Sequence, residues 1–470
     1  MNAPGTLTRL ENFGHSLRSS AYVLHPGGEE EIAAAFALAR GRGLSVALRG
    51  AGKSYNDAAL NGGGIVLDLQ RFDRILAWDP HTGQITVQPG VSLQQLWQHC
   101  LPDGWWPPVV SGTMTTTLGG CLGMNIHGKN NLRKGTIGEH VLEFTALLPS
   151  GAQITCSPHL NGDLFRAMIG GLGMLGVFTS ITLQMHKVYS GLLDVRAWRV
   201  PDLATHLAQL LEAAPGMDYT VGWLDASAAG RGLGRGQLHA ARYLDEGEDP
   251  EPSKSLQIAY QILPDKFFGV LPKSLLHTCM APFMSNLGTW GVNTAKYLVS
   301  GRERTYRQPH AAFHFLLDYV PDWELAYGAG GLLQYQSFVP RETAQEAWSE
   351  MLRMSIRRGM PPYLGVTKRH RPDGFLLSHA VDGFSLALDY KITRRNQERL
   401  SRMLMDFDRI VLDAGGRFYF AKNSETSAQT AERFLGVQTV RKFKALKRRC
   451  DPDQILASDL FRRIFGSTGT

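Results

Sequence analysis

The chain has 470 residues, 43% of them hydrophobic and 19% charged, with a formal net charge of +7. These values exclude a disordered or fibrous chain, leave room for two or three domains, and place no run of about eighteen apolar residues to cross a membrane. The five cysteines (Cys100, Cys121, Cys156, Cys279 and Cys450) are scattered and odd in number, so neither a disulfide framework nor a metal site is expected and a reducing compartment fits.

Residues 29–40, EEEIAAAFALAR, predict a helix ended by Gly41 and Gly43. A strand at 44–48 leads into a glycine loop, RGAGKSYND. GIVLDL (64–69) and QITVQPG (84–90) read as strands, and VSLQQLWQHC (91–100) as a helix with Ser92 as N-cap. Residues 111–130, SGTMTTTLGGCLGMNIHGKN, are small, polar and glycine-rich, which suits backbone approaching a ligand closely. Residues 141–156 predict a hairpin turning at Ser150-Gly151, 163–169 a helix and 177–185 a strand.

From about 190 to 410, helices at 203–213, 342–358 and 394–411 alternate with strands at 219–225, 331–338 and 384–391. That is the pattern of an α+β unit whose sheet is covered by helices. A strand at 415–421 and a charged helix follow. The apolar stretch 267–290 is expected in the core, with a lid or lipid-touching loop as the alternative. The basic run at 441–449 is expected to be a solvated helix face, with a patch for anionic lipid or phosphate as the alternative. Basic residues are not interleaved with aromatics, so no nucleic acid is expected. The N-terminus lacks a basic head followed by an apolar core, so no signal peptide is expected.

Two nucleotide signatures fail on context. Gly52-Lys53-Ser54 ends like a P-loop, but the first glycine of that motif falls on Ala47, and YNDAALNGGG cannot open a helix on phosphates. Residues 171–176 spell GxGxxG, yet a helix precedes them and a strand follows, the reverse of a dinucleotide fold. What remains is three glycine loops, 49–64, 111–130 and 170–176. Together they point to a long ligand whose pyrophosphate is cradled by backbone N–H groups.

In order and spacing, RGAGKSYND, NGGGIVLDL, TVQPGVSLQQL, residues 111–130 and DLFRAMIGGLGMLGVFTSITLQM resemble the vanillyl-alcohol-oxidase (PCMH-type) FAD-binding family. IHGKN (126–130), AYGAGGLLQYQSFVP (326–340), GGRFYFAKNS (415–424) and DPDQILASDLFRR (451–463) resemble its decaprenylphosphoryl-ribose 2-oxidase branch, from residue 8 to 465. The resemblance implies a two-domain α+β fold. Residues 1–189 and 413–470 would form the FAD-binding domain, and 190–412 a substrate domain of antiparallel sheet plus helices.

The resemblance also implies site residues. Arg49, Gly50, Ala51, Gly52, Lys53, Ser54, Tyr55, Asn56 and Asp57 would surround the FAD pyrophosphate, and Gly112, Thr117, Leu118, Gly119 and Gly120 would form a second cofactor-facing wall. Met124, Asn125, Ile126, His127, Val177 and Phe178 would line the ring and ribose, with Tyr419 reaching in from the C-terminal segment. Lys422 and His127 are the candidates for taking a hydroxyl proton, with Tyr55, Lys129 and Gln336 as orienting or phosphate-binding groups. Lys129, Trp223, Gln334, Gln336, Lys368, Ser385, Ala387 and Lys422 would meet substrate. Gln334 and Gln336 share a strand face opposite Tyr335. A strand running through 422 would put Lys422 opposite Tyr419.

Two departures stand out. Many relatives bond flavin covalently through a histidine at the position of Lys53, so non-covalent FAD is expected here. Members of the branch carry Asn and Cys where this chain has Ser385 and Ala387, so the pocket wall differs and reagents aimed at that thiol lack a target. The implied reaction is oxidation of the C2 hydroxyl of a polyprenyl-phosphate-linked pentose, with hydride passing to flavin N5. An NAD-dependent keto-reductase would be its partner, and its place would be cytoplasmic or peripheral at the inner membrane face. The alternatives are a flavin oxidase of a soluble polyol, aldonolactone or sterol-like substrate, and a flavin-binding protein without turnover.

Overall fold

The computed structural model describes residues 6–264, 266–267, 271–301 and 303–466. Its first layer is a four-stranded sheet in which Arg18–Leu24, Ile65–Asp68 and Val46–Arg49 run parallel and Leu7–Glu11 closes one edge antiparallel. The helix Glu29–Arg42 buries Ile32, Ala35, Phe36 and Ala39 in one core with these strands. Gly43, at φ +62°, caps its end.

The chain after Val46–Arg49 enters a loop and then a single 3-10 turn, Asp57–Ala59. No α-helix opens there, as the sequence indicated in rejecting a P-loop. The 171–176 glycines likewise sit between the helix Gly162–Met168 and the strand Val177–Gln184. That strand is central in a five-stranded antiparallel sheet that includes the predicted hairpin, Val141–Leu147 with Gln153–Cys156.

The third sheet has eight strands, all antiparallel, ordered Arg304–Pro309, Leu192–Val200, Gly236–Tyr243, Tyr219–Leu224, Leu364–His370, Gly383–Lys391, Leu332–Pro340 and Arg417–Phe418. Its strands alternate as pleating demands. Tyr335 and Ser337 face the covering helices, where Tyr335 Oη donates to Asp408 Oδ1 (2.9 Å) and Ser337 Oγ accepts from Trp348 Nε1 (3.1 Å). Gln334 and Gln336 face the other way, into a cavity.

The C-terminal segment returns to the first sheet. Val46 N donates to Ile455 O (2.7 Å), and the turn 451–456 is organised by Asp451, which accepts from Ile455 N, Leu456 N and Lys447 Nζ. Lys447 is thereby drawn inside, while Arg441, Lys442, Arg448 and Arg449 stay exposed on the helix Val437–Cys450.

Two expectations are corrected. The 267–290 stretch is not core. Side chains of 267–271 lie outside the described residues, but Leu275, Phe283, Leu287 and Trp290 are each more than half exposed. They fall on the outer face of short helices whose inner face, Leu276 and Thr289, already meets the body. The 415–421 strand stops at Phe418, because Lys422 N turns back onto Tyr419 O (3.0 Å).

Candidate active site

A cavity of about 550 Å³ lies between the inner face of the eight-stranded sheet and the glycine loops of the other two sheets. Arg49, Gly50, Ala51, Gly52, Lys53, Ser54 and Tyr55 form one wall. Gly52 sits at φ +66°, and a Cβ on Gly50 would fall 2.1 Å from Thr117 Oγ1, so both positions require glycine. The backbone N–H groups of Ala51, Gly52, Lys53 and Ser54 donate to no acceptor among the described residues. Four free donors beside Arg49 and Lys53 make an anion cradle of the kind that a pyrophosphate such as that of FAD would fit.

The second wall is Gly112, Thr117, Gly119 and Gly120, then Met124, Ile126 and His127, with Phe178 and Tyr419. Thr117 caps the short helix Leu118–Gly123 by accepting from Gly120 N. Six predicted residues lie behind these walls. Asn56 Nδ2 donates to Phe420 O, and Asp57 pairs with Arg463. Leu118 and Val177 are fully buried in the cores. Asn125, held at φ +46°, accepts from Gly138 N (3.0 Å). Ser385 Oγ lies 2.8 Å from His370 Nε2 and so braces that ring.

The polar end of the cavity is built by three neighbouring strands. Gln334 pairs in register with Asp389, and Gln336 with Ala387, which itself pairs with Val366. Gln334 Nε2 donates to Asp389 Oδ1 (2.5 Å), and Gln336 Nε2 meets His127 Nε2 at 3.2 Å. The turn at Tyr419 swings Lys422 to the same side as Tyr419, so both line the cavity. The strand-alternation expectation is corrected by that turn. Lys422 Nζ sits 3.6 Å from the Tyr55 ring centroid.

Burial governs the charges here. It lowers Lys422 to about 7, against the pull of Asp389 and with the help of Lys368. It raises Asp389 to about 6. It holds His127 well below its usual range, assisted by Lys368, so that ring is neutral.

Farther along the same sheet face stand Lys368, Trp223 and His239, with Lys129 opposite and Lys296 entering from the helix Asn286–Val299. Lys129 Nζ donates to Phe313 O, and Lys296 Nζ lies 4.1 Å over Trp223. Sequence reasoning missed Asp389, His239, His314 and Lys296. Asp389 had a signal, since it continues the 385–387 alternation on the face that meets Gln334. Lys296 had none, because it follows an apolar stretch.

The arrangement joins an elongated, backbone-lined anion cradle to a polar compartment with two amides, a carboxylate and a near-neutral amine. Such a site can hold FAD, orient a hydroxyl-rich substrate against it and take up a hydroxyl proton.

Comparison with known proteins agrees. Residues 20–157 match the family described as FAD binding domain. The chain is 33% identical over 473 aligned residues to the decaprenylphosphoryl-beta-D-ribose oxidase of Mycolicibacterium smegmatis, covering 98% of each chain. It is 24% identical over 450 residues to the L-gulonolactone oxidase of Bos taurus, covering 94% of each. With that full-length likeness and the matching FAD-binding domain, the chain belongs to the decaprenylphosphoryl-beta-D-ribose oxidase family of FAD-dependent oxidoreductases acting on CH–OH groups.

Proposed function

We propose that the protein oxidises the C2 hydroxyl of a polyprenyl-phosphate-linked pentose, such as decaprenylphosphoryl-ribose, to a keto-sugar. The observation that carries this reading is the sharing of one cavity by the free N–H loop and by Gln334, Gln336, Asp389 and Lys422. Bound FAD supplies the two-electron acceptor that takes the hydride. Residues 1–189 and 413–470 are assigned to hold it, and 190–412 to present the substrate.

The amides of Gln334 and Gln336 suit vicinal hydroxyls. Lys422, in its neutral form, accepts the hydroxyl proton, and the Tyr55 ring seats it. Neutral His127, held by Gln336, accepts or donates a hydrogen bond at the same carbon's oxygen. Asp389 opposes Lys422 and steadies its charge.

The lipid part of the reading is supported by the helix Asn286–Val299. The helix that brings Lys296 to the cavity also carries Leu287, Trp290, Leu298 and Val299 on its outside, each more than half exposed. An exposed apolar face at a site mouth suits an amphiphilic substrate at a membrane surface. Among the described residues no helix is long and apolar enough to cross a membrane. The place assigned is cytoplasmic or peripheral to the membrane, and the exposed apolar helix face supports the peripheral one. The keto-sugar product calls for an NAD-dependent reductase as partner.

Anaerobic titration of the flavin absorbance tests the reading. Polyprenyl-phosphoryl ribose should bleach the flavin, whereas free pentose, alditol and aldonolactone should not. Bleaching by a soluble polyol or lactone alone would replace the substrate assignment.

A further inference from the structure

Among the described residues, six Lys or Arg side chains line the cavity, against the single carboxylate of Asp389. Arg49 and Lys53 belong to the cofactor loop, and Lys422 faces Asp389. That leaves Lys129, Lys296 and Lys368, none of which meets a carboxylate among the described residues. Lys129 and Lys296 are instead held against aromatic faces, Phe313 at 4.4 Å and Trp223 at 4.1 Å. Such contacts aim an ammonium without neutralising it. His239, on the strand next to Trp223, lies within electrostatic reach of both lysines.

The helix Asn286–Val299 fixes the direction in which a ligand would leave. Thr289 and Asn293 are buried on its inner stripe, the exposed Lys296 continues that stripe at helical spacing to the cavity, and Leu287, Trp290 and Leu298 lie on the opposite one. Cationic inside and apolar outside, the helix matches an anion with a hydrocarbon tail.

We propose that Lys296, with Lys129 and His239, forms an anion subsite under this helix that binds the phosphate of the substrate and so selects a phosphorylated sugar over a free one. The subsite deepens the function proposed above and rests on it for the identity of the sugar. The recognised chemistry is a phosphate ester. Burial has lowered Lys129 to about 7, and an arriving phosphate favours its charged form, whereas Lys296 is solvent-exposed and presents its charge directly.

The test uses flavin-loaded enzyme and three probes, farnesyl phosphate, ribose 5-phosphate and farnesol, with binding read by calorimetry. Lys296→Gln should weaken farnesyl phosphate at least about tenfold and leave farnesol unchanged, while Lys296→Arg retains binding. His239→Gln should weaken the same probe, which keeps the test open if Lys296→Gln loses flavin. Ribose 5-phosphate bound as tightly as farnesyl phosphate, with the same Lys296 dependence, would assign the subsite to soluble phosphates. Equal affinities of wild type and both neutral variants for every phosphate would overturn it. Lys296-dependent phosphate binding without turnover of prenyl-phosphoryl pentoses would sink the substrate assignment and keep the subsite. Turnover whose KM ignores Lys296 would do the reverse.

Discussion

The Lys422 ammonium lies 3.6 Å above the ring of Tyr55, a residue of the cofactor loop, and the two segments are laced by Tyr55 N donating to Ala421 O (2.9 Å). The proposed proton acceptor and the proposed cofactor loop are therefore directly linked. Replacing Lys422 with Met should lower kcat about 100- to 10,000-fold with flavin content unchanged. Tyr55→Phe, which keeps the ring, should retain most activity, and Tyr55→Leu should not. Steady-state rates and the flavin-to-protein absorbance ratio check both.

The pH profile carries a sign. Burial places Lys422 near 7, and in the proposed mechanism the neutral amine is the active form. kcat/KM should rise about tenfold per pH unit below 7 and level off above it. Asp389 pulls the Lys422 value upward. Asp389→Asn removes that pull, so the acid limb should move to lower pH. An acid limb that stays in place or moves up would remove Asp389 from this role.

Flavin attachment turns on Lys53, which cannot form the histidyl bond found in many relatives. Acid precipitation should leave a colourless pellet and a yellow supernatant. Gly52→Ala should reduce bound flavin, because the added methyl would sit 2.3 Å from Arg49 Nη2 at a φ of +66°. Absorbance of the purified variant measures it.

Thiol chemistry separates this chain from branch members with Cys at the position of Ala387. Cys279 is exposed, whereas the other four cysteines are buried. Iodoacetamide should label Cys279 and leave activity intact. Ala387→Cys places a thiol on the cavity wall, and activity should then fall with alkylation.

Periodicity made the helix Glu29–Arg42, the Ser92 cap and the 141–156 hairpin legible, because each rests on contacts close in sequence. The order of the eight-stranded sheet was not legible, since Leu332–Pro340 lies between Gly383–Lys391 and Arg417–Phe418, pairings no local pattern encodes. Among site residues, Gln334, Gln336 and Lys422 could be placed by their motifs. Lys296 could not, because its place at the cavity is set beside the aromatic face of Trp223, 73 positions away by subtraction of their numbers. The expectation of core for 267–290 fails for a related reason, since Leu275, Phe283, Leu287 and Trp290 are exposed. Apolar composition signals burial only when a helix turns that face inward.

Asn56 is tied to Phe420, 364 residues farther on, and Asp57 to Arg463, 406 farther on. A ribosome makes these partners long after the loop itself, so the flavin cradle cannot be finished while the nascent chain is still short. The early segment must wait, with its glycine loop unsupported, until the distant strap arrives. With the loop in its proposed role, flavin capture is expected late in the maturation of the polypeptide, and a chain ending at 415 should purify without colour.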